Sequence, residues 1–124
     1  MQSTSNKERQ PLSEKAKERL RMNEEARERT AKNVRLDIGQ KRPYLFDLEK
    51  VMDADTRKRD DGTEYTVIPY IVEDERYPGY EKTFDASSQL SSKIDGFLKD
   101  GHRRLMVEKE KSGSTGRYNV YPLD

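Results

Sequence analysis

Two kinds of side chain recur at spacings that could do chemistry, and the chemistry is that of binding. Arg57-Lys58-Arg59 sets three consecutive cations in one polar stretch, and Lys109, Lys111 and Arg117 flank another. Between them lie Tyr65, Tyr70, Tyr77 and Tyr80, then Lys82, with Tyr118 and Tyr121 further on. Cations neutralise phosphates, and flat rings are surfaces on which unpaired bases stack, each stack contributing about 1–3 kcal/mol. The plainer alternative is that several of these tyrosines fill a β core or its turns. Tyr118 and Tyr121 are three residues apart on one strand and so point to opposite faces; at most one faces a ligand. Asp60, Asp61, Glu73, Asp74 and Glu75 work against a phosphate groove.

Catalysis has far less behind it. The single histidine, His102, stands beside Arg103 and Arg104, and there is no cysteine, so thiol nucleophiles are excluded. No nucleophile-elbow pattern occurs, and Ser112–Gly116 lacks the Lys-Ser/Thr of a phosphate loop and leads into a strand. Asp53-x-Asp55 begins like a calcium loop, but Arg57-Lys58-Arg59 then fills it with positive charge. The acidic tips Asp53–Asp61 and Glu73-Asp74-Glu75 read as solvated turns. The chain is expected to be no enzyme, with no catalytic residue, cofactor or metal.

The elements that must position the binding residues follow from period and punctuation. Pro43–Met52 alternates, with Tyr44, Phe46 and Leu48 on one side, and reads as a first strand; Val34–Ile38 adds to its start. Asp53–Thr63 is a polar loop ending in the turn signal Asp61-Gly62. Tyr65–Val72 is a second strand, whose Pro69 predicts an edge position or a bulge. Tyr77–Tyr80 makes a turn, and Tyr80–Ala86 is a third strand. Ser87 or Ser88 caps a helix whose apolar face is Leu90, Ile94, Phe97 and Leu98, ended by Gly101. Arg103–Glu110 and Arg117–Leu123 are the last two strands, joined by a flexible loop over Lys111–Gly116.

The resulting order is mainly β: five strands with one helix between the third and fourth, the order of an OB-like barrel. A charged N-terminal arm, helical or disordered, precedes it. Residues 1–33 hold nine Lys or Arg and six Glu but almost no large apolar side chains, whereas residues 34–124 carry the core and a slight acidic excess. The predicted domains are therefore an arm at 1–33 and a barrel at 34–124. The whole chain has 124 residues, a net charge of +1 and 40% charged residues, which excludes a protein coated in positive charge. Any nucleic-acid contact must come from local patches. The absence of a long apolar run and of an N-terminal apolar block predicts no membrane span and a cytoplasmic location, or the host cytoplasm for a viral protein.

Within Lys82–Leu123, four pieces stand in a particular order: the helix Ser87–Gly101, the strand Leu105-Met106-Val107-Glu108, the loop Ser112-Gly113-Ser114-Thr115-Gly116-Arg117-Tyr118, and the end Val120-Tyr121-Pro122-Leu123. This third of the chain resembles the C-terminal half of small OB-fold single-stranded-DNA-binding proteins of phages, archaeal viruses and archaea. The long flexible tail with an acidic tip of the bacterial single-strand binders has no counterpart here, so recruitment of partners by such a tail is not expected. The resemblance implies non-sequence-specific binding of single-stranded nucleic acid, ssDNA above all, in replication, recombination or repair. The residues expected to carry it are Arg57, Lys58, Arg59, Tyr65, Tyr70, Tyr77, Tyr80, Lys82, Lys109, Lys111, Arg117 and Tyr121. The alternative is a protein–protein or scaffold module that docks through residues 1–33, on a protein partner or a second copy.

Overall fold

The computed structural model describes residues 11–112 and 115–124. Residues 1–10 of the expected arm, and Gly113 and Ser114 of the expected flexible loop, lie outside that set. The chain divides into two compact units, with the boundary between Thr30 and Ala31.

The first unit contains helix α1, Glu14–Thr30. Its Glu, Lys, Arg and Ala residues are good helix formers. Ser13 caps it, its hydroxyl accepting from the Ala16 amide at 3.1 Å. Arg21 then ties Glu18 to Glu25 along the surface. None of its residues is buried.

The second unit is a sheet of six antiparallel strands crossed by one helix. The strands are β1 Lys41–Val51, β2 Asp55–Lys58, β3 Glu64–Asp74, β4 Glu81–Ala86, β5 Arg104–Ser112 and β6 Thr115–Pro122; helix α2, Ser88–Lys99, joins β4 to β5. Hydrogen-bonded neighbours run β4-β3-β1-β5-β6, with β2 pairing the first half of β3 and β1 its second half. No ladder joins β4 to β6 among the described residues, so the sheet is not closed into a barrel.

Four details correct the sequence expectation. The extra strand, β2, lies inside the stretch expected to be loop; the Arg59–Thr63 turn folds it onto β3, with Gly62 at φ +87° and Asp61 accepting from the Thr63 amide. Second, β3 is no edge strand. Pro69 sits where pairing on that strand steps from Tyr70–Val51 to Val67–Asp55, while β4 pairs unbroken from Ile68 to Glu73. The missing N–H therefore falls at a local irregularity, the bulge alternative. Third, the register of β1 shifts between Asp47 and Val51, which turns Leu48 outward; it is 42% exposed where alternation placed it with Tyr44 and Phe46.

The fourth correction concerns Ala31–Gln40, which is neither arm nor strand but a strap. Its start lies along β4: the Val34 amide donates to Thr83 O, the Thr83 amide to Lys32 O, and Asn33 bridges Thr83 in parallel. Its end lies on the β5–β6 hairpin, where Gly39 N donates to Lys109 O and Lys109 N to Gln40 O. Between these anchors Leu36 enters the core at 2% exposure. The strap thus spans the interval that the β4 and β6 ladders leave open.

The core gathers Leu36 with Tyr44, Phe46, Val72, Phe84, Leu105, Val107 and Val120 from the sheet, and Leu90, Ile94 and Leu98 from α2. Ser87 caps α2 by accepting from the Leu90 amide, and Gly101, at φ +97°, ends it. Packing α2 over the sheet fixes the start of the helix beside β6, and that junction shapes the candidate site.

Candidate nucleic-acid interface

An open cleft of about 760 Å³ runs between the start of α2, the end of β4 and the first half of β6. Asp85, Ser87, Gln89 and Lys93 form one wall; Gly116, Arg117 and Tyr118 form the other. It lies at the seam that the sheet leaves unpaired.

The Tyr118 ring belongs partly to the core, edge-on to Phe84 at 5.9 Å, and burial raises its hydroxyl pKa. The Lys109 ammonium lies 5.5 Å from the centre of the same ring. Pairing explains the placement: Lys109 faces Tyr118 and Lys111 faces Gly116 across the β5–β6 ladder. Gly116 has little room for a side chain, since a Cβ there would stand 2.6 Å from Lys109 Cε and 3.1 Å from Ile38 Cγ1. Its small size lets strap and hairpin close together. Arg117 is exposed and paired with Glu110 at 2.8 Å. Glu110 is held below the usual carboxylate range, first by a hydrogen bond from Asn119 and then by Arg117.

On the opposite wall Arg57 reaches from β2 to Asp85 on β4, Nη1 to Oδ2 at 3.1 Å, and also bonds Asp55. Hydrogen bonds to Asp55 and then Asp85 raise its pKa, so it stays fully charged. Asp85, the one carboxylate among the described residues that line the cleft, is therefore ion-paired in place. Lys93 is exposed on α2.

The other expected residues distribute as follows. Lys58 is exposed on β2, and the Arg59 guanidinium stacks on Tyr65 at 4.4 Å, so both stand at the β2–β3 hairpin. Tyr77 lies under Arg76 at 4.8 Å in the turn after β3, and Tyr80 is 41% exposed just before β4. Tyr121 is 40% exposed and pairs with Met106 on the sheet face opposite Tyr118. One residue is placed inside and one is half-buried against the core. Lys82 is 3% exposed, with its ammonium donating to Ala31 O at 2.6 Å. Tyr70 packs edge-on against Phe46, and its hydroxyl bonds Ser91 at 2.6 Å and Asp95 at 2.7 Å. Desolvation pushes that hydroxyl up to about 12.

Of the expected residues, Arg117 lines this cleft, beside Tyr118; Arg57 and Lys109 do not line it but bear on the lining residues Asp85 and Tyr118, and Tyr77, Tyr80 and Tyr121 stand apart from it. Sequence reasoning passed over Lys93, Ser87 and Gln89. Their signal was the polar face of the amphipathic helix, which reads as plain solvent surface until β6 is set beside it. Among the described residues, no group of three or more His, Cys, Asp or Glu side chains is placed to hold a metal ion, and no helix is long and apolar enough to cross a membrane.

No protein-family model matches the chain, and neither a curated protein nor a solved structure is significantly similar to it.

Proposed function

We propose that this protein binds single-stranded nucleic acid without sequence specificity, through the cleft between α2 and β6. The observation that carries the reading is an open groove lined by Lys93, Arg117 and Tyr118, with Lys109 held against the Tyr118 ring and with Asp85, the one carboxylate among the described lining residues, already clamped by Arg57. Cations beside an aromatic ring are the elements that single-strand binding requires. Hydroxyl and amide groups of Ser87 and Gln89 add donors that serve phosphate or sugar without reading sequence.

The strand order supports the same reading at the level of fold. With β1 and β2 taken as one interrupted strand, the order β4-β3-β1-β5-β6 and the helix between β4 and β5 are those of a partly open OB barrel. The β2–β3 and β5–β6 hairpins then correspond to the two loops with which such barrels hold oligonucleotides. One fold hosts many functions, so the cleft residues bear the functional weight.

Fluorescence anisotropy with a labelled oligothymidine tests the proposal. Affinity should fall steeply as salt rises, and a Lys93→Glu/Arg117→Glu variant should bind at least tenfold more weakly while keeping its circular dichroism spectrum. Absence of binding by micromolar protein at low salt would overturn it.

A further inference from the structure

Helix α1 sorts its charges by face. At 100° per residue, Lys15, Ala16, Arg19, Leu20, Asn23 and Arg27 fall on one side of Glu14–Thr30. All five glutamates of the helix, Glu14, Glu18, Glu24, Glu25 and Glu28, fall on the other. The first side is cationic and partly apolar, without a carboxylate. Leu20 on it is 46% exposed, and the helix buries none of its residues.

The sheet carries the complement. On the face away from the core, Leu45, Leu48 and Ile71 line a shallow concavity of about 500 Å³. Leu45 and Leu48 are 41% and 42% exposed. Asp47, Glu49, Glu73 and Glu81 surround them. The nearby cations are already engaged: Lys50 is bonded to Glu81, Arg104 to Glu75, and Arg103 donates to the carbonyls of Leu98 and His102. The result is an apolar floor with an acidic rim, opposite in charge to the first side of α1 and unsuited to phosphates.

We propose that α1 of one copy docks its Lys15–Arg19–Leu20–Arg27 side into the Leu45–Leu48–Ile71 concavity of a second copy. One copy contributes the helix and the next the sheet, so the contact is heterologous and propagates as an open head-to-tail chain. It is the helix-in-groove mode of recognition, with aliphatic anchors inside and charge pairs at the rim. One face of a helix about 25 Å long covers less than the roughly 800 Å² per partner of a standard interface. The association is therefore weak, favoured at high protein concentration and weakened by salt. The cleft at β6 is not used in this contact, so the inference stands apart from the nucleic-acid reading.

Sedimentation velocity of the full chain, without nucleic acid, tests it. At low salt the weight-average sedimentation coefficient should rise with concentration from micromolar towards millimolar, and the rise should vanish at high salt. Arg19→Glu/Arg27→Glu and Glu49→Lys/Glu73→Lys should each weaken self-association at least tenfold. Arg19, Arg27 and Glu49 are exposed and Glu73 is half-buried, and retained circular dichroism spectra verify folding. Combining the four substitutions in one chain restores charge complementarity and should restore self-association. A wild-type chain that stays monomeric throughout overturns the proposal, whether α1 then binds nucleic acid or its own sheet. So does a four-fold variant that fails to recover.

Discussion

The ammonium of Lys82, on the core side of β4, donates to the carbonyl of Ala31 at 2.6 Å while only 3% of the residue is exposed. A buried cation is tolerated only when its donors are met, and the strap supplies the acceptor. Together with the Lys32–Thr83–Val34 hydrogen bonds, this contact makes Ala31 the first residue of the second unit.

The strap should therefore be essential to stability, and α1 dispensable. Leu36→Ala removes a side chain wholly inside the core and should cost about 2–5 kcal/mol in chemical denaturation. Deletion of residues 1–30 should leave the denaturation midpoint of the remainder nearly unchanged, whereas deletion of 1–40 should abolish the cooperative transition.

Arg57 and Asp85 predict an uneven mutational response in nucleic-acid binding. Arg57→Ala removes one cation and also frees the Asp85 carboxylate to face the cleft, so it should weaken oligonucleotide binding more than Lys58→Ala does. Adding Asp85→Asn should recover most of the difference. Stability should change little in each single variant, since the pair is solvent-accessible. Anisotropy titrations of the four proteins at one salt concentration make the comparison.

Tyr70 predicts a loss of stability in strong alkali. Its hydroxyl pKa is raised to about 12 from 10.0, by desolvation above all, so folding favours the neutral phenol. That contribution is fully present below pH 10 and is lost as pH rises through about 12. Ultraviolet titration should show late tyrosinates, Tyr118 being raised by burial as well, and Tyr70→Phe should reduce the late amplitude by one tyrosine.

Asp124 predicts a change at the acidic end. The backbone amide of Arg103, with further help from Arg104 and His102, holds its carboxyl below the ordinary aspartate range. Its contribution to stability is present above that ordinary range and is lost as pH falls through the depressed value. Carboxyl-carbon NMR shifts against pH should place Asp124 below the mean of the other aspartates, and the Arg103 amide should shift with it.

The positions of most strands and of α2 could be read from period and punctuation, because Leu90, Ile94 and Leu98 repeat at helical spacing and Asp61-Gly62 marks a turn. What could not be read depended on neighbours distant in the chain. Val34, Leu36 and Ile38 alternate with Arg35 and Asp37 and so read as strand, yet the segment is a strap in which Leu36 alone is fully buried, since the open seam needs a filler. A lysine at position 82 reads as surface; only an acceptor about fifty residues earlier allows it inside. Strict alternation points Leu48 inward, and one register shift reverses it. At the candidate site, the rule that Tyr118 and Tyr121 oppose one another holds, but which of them lines the cleft depends on where α2 lies. Strand parity alone does not contain that.

The strap has one more consequence. A strand whose outer N–H and C=O groups are unpaired is a template for another chain, and β4, with Phe84 and Ala86 behind it, would be an adhesive one. By pairing Lys32 and Val34 with Thr83, the segment occupies the middle of that edge. Ten residues that look like a linker thus guard the molecule against intermolecular sheet growth and aggregation.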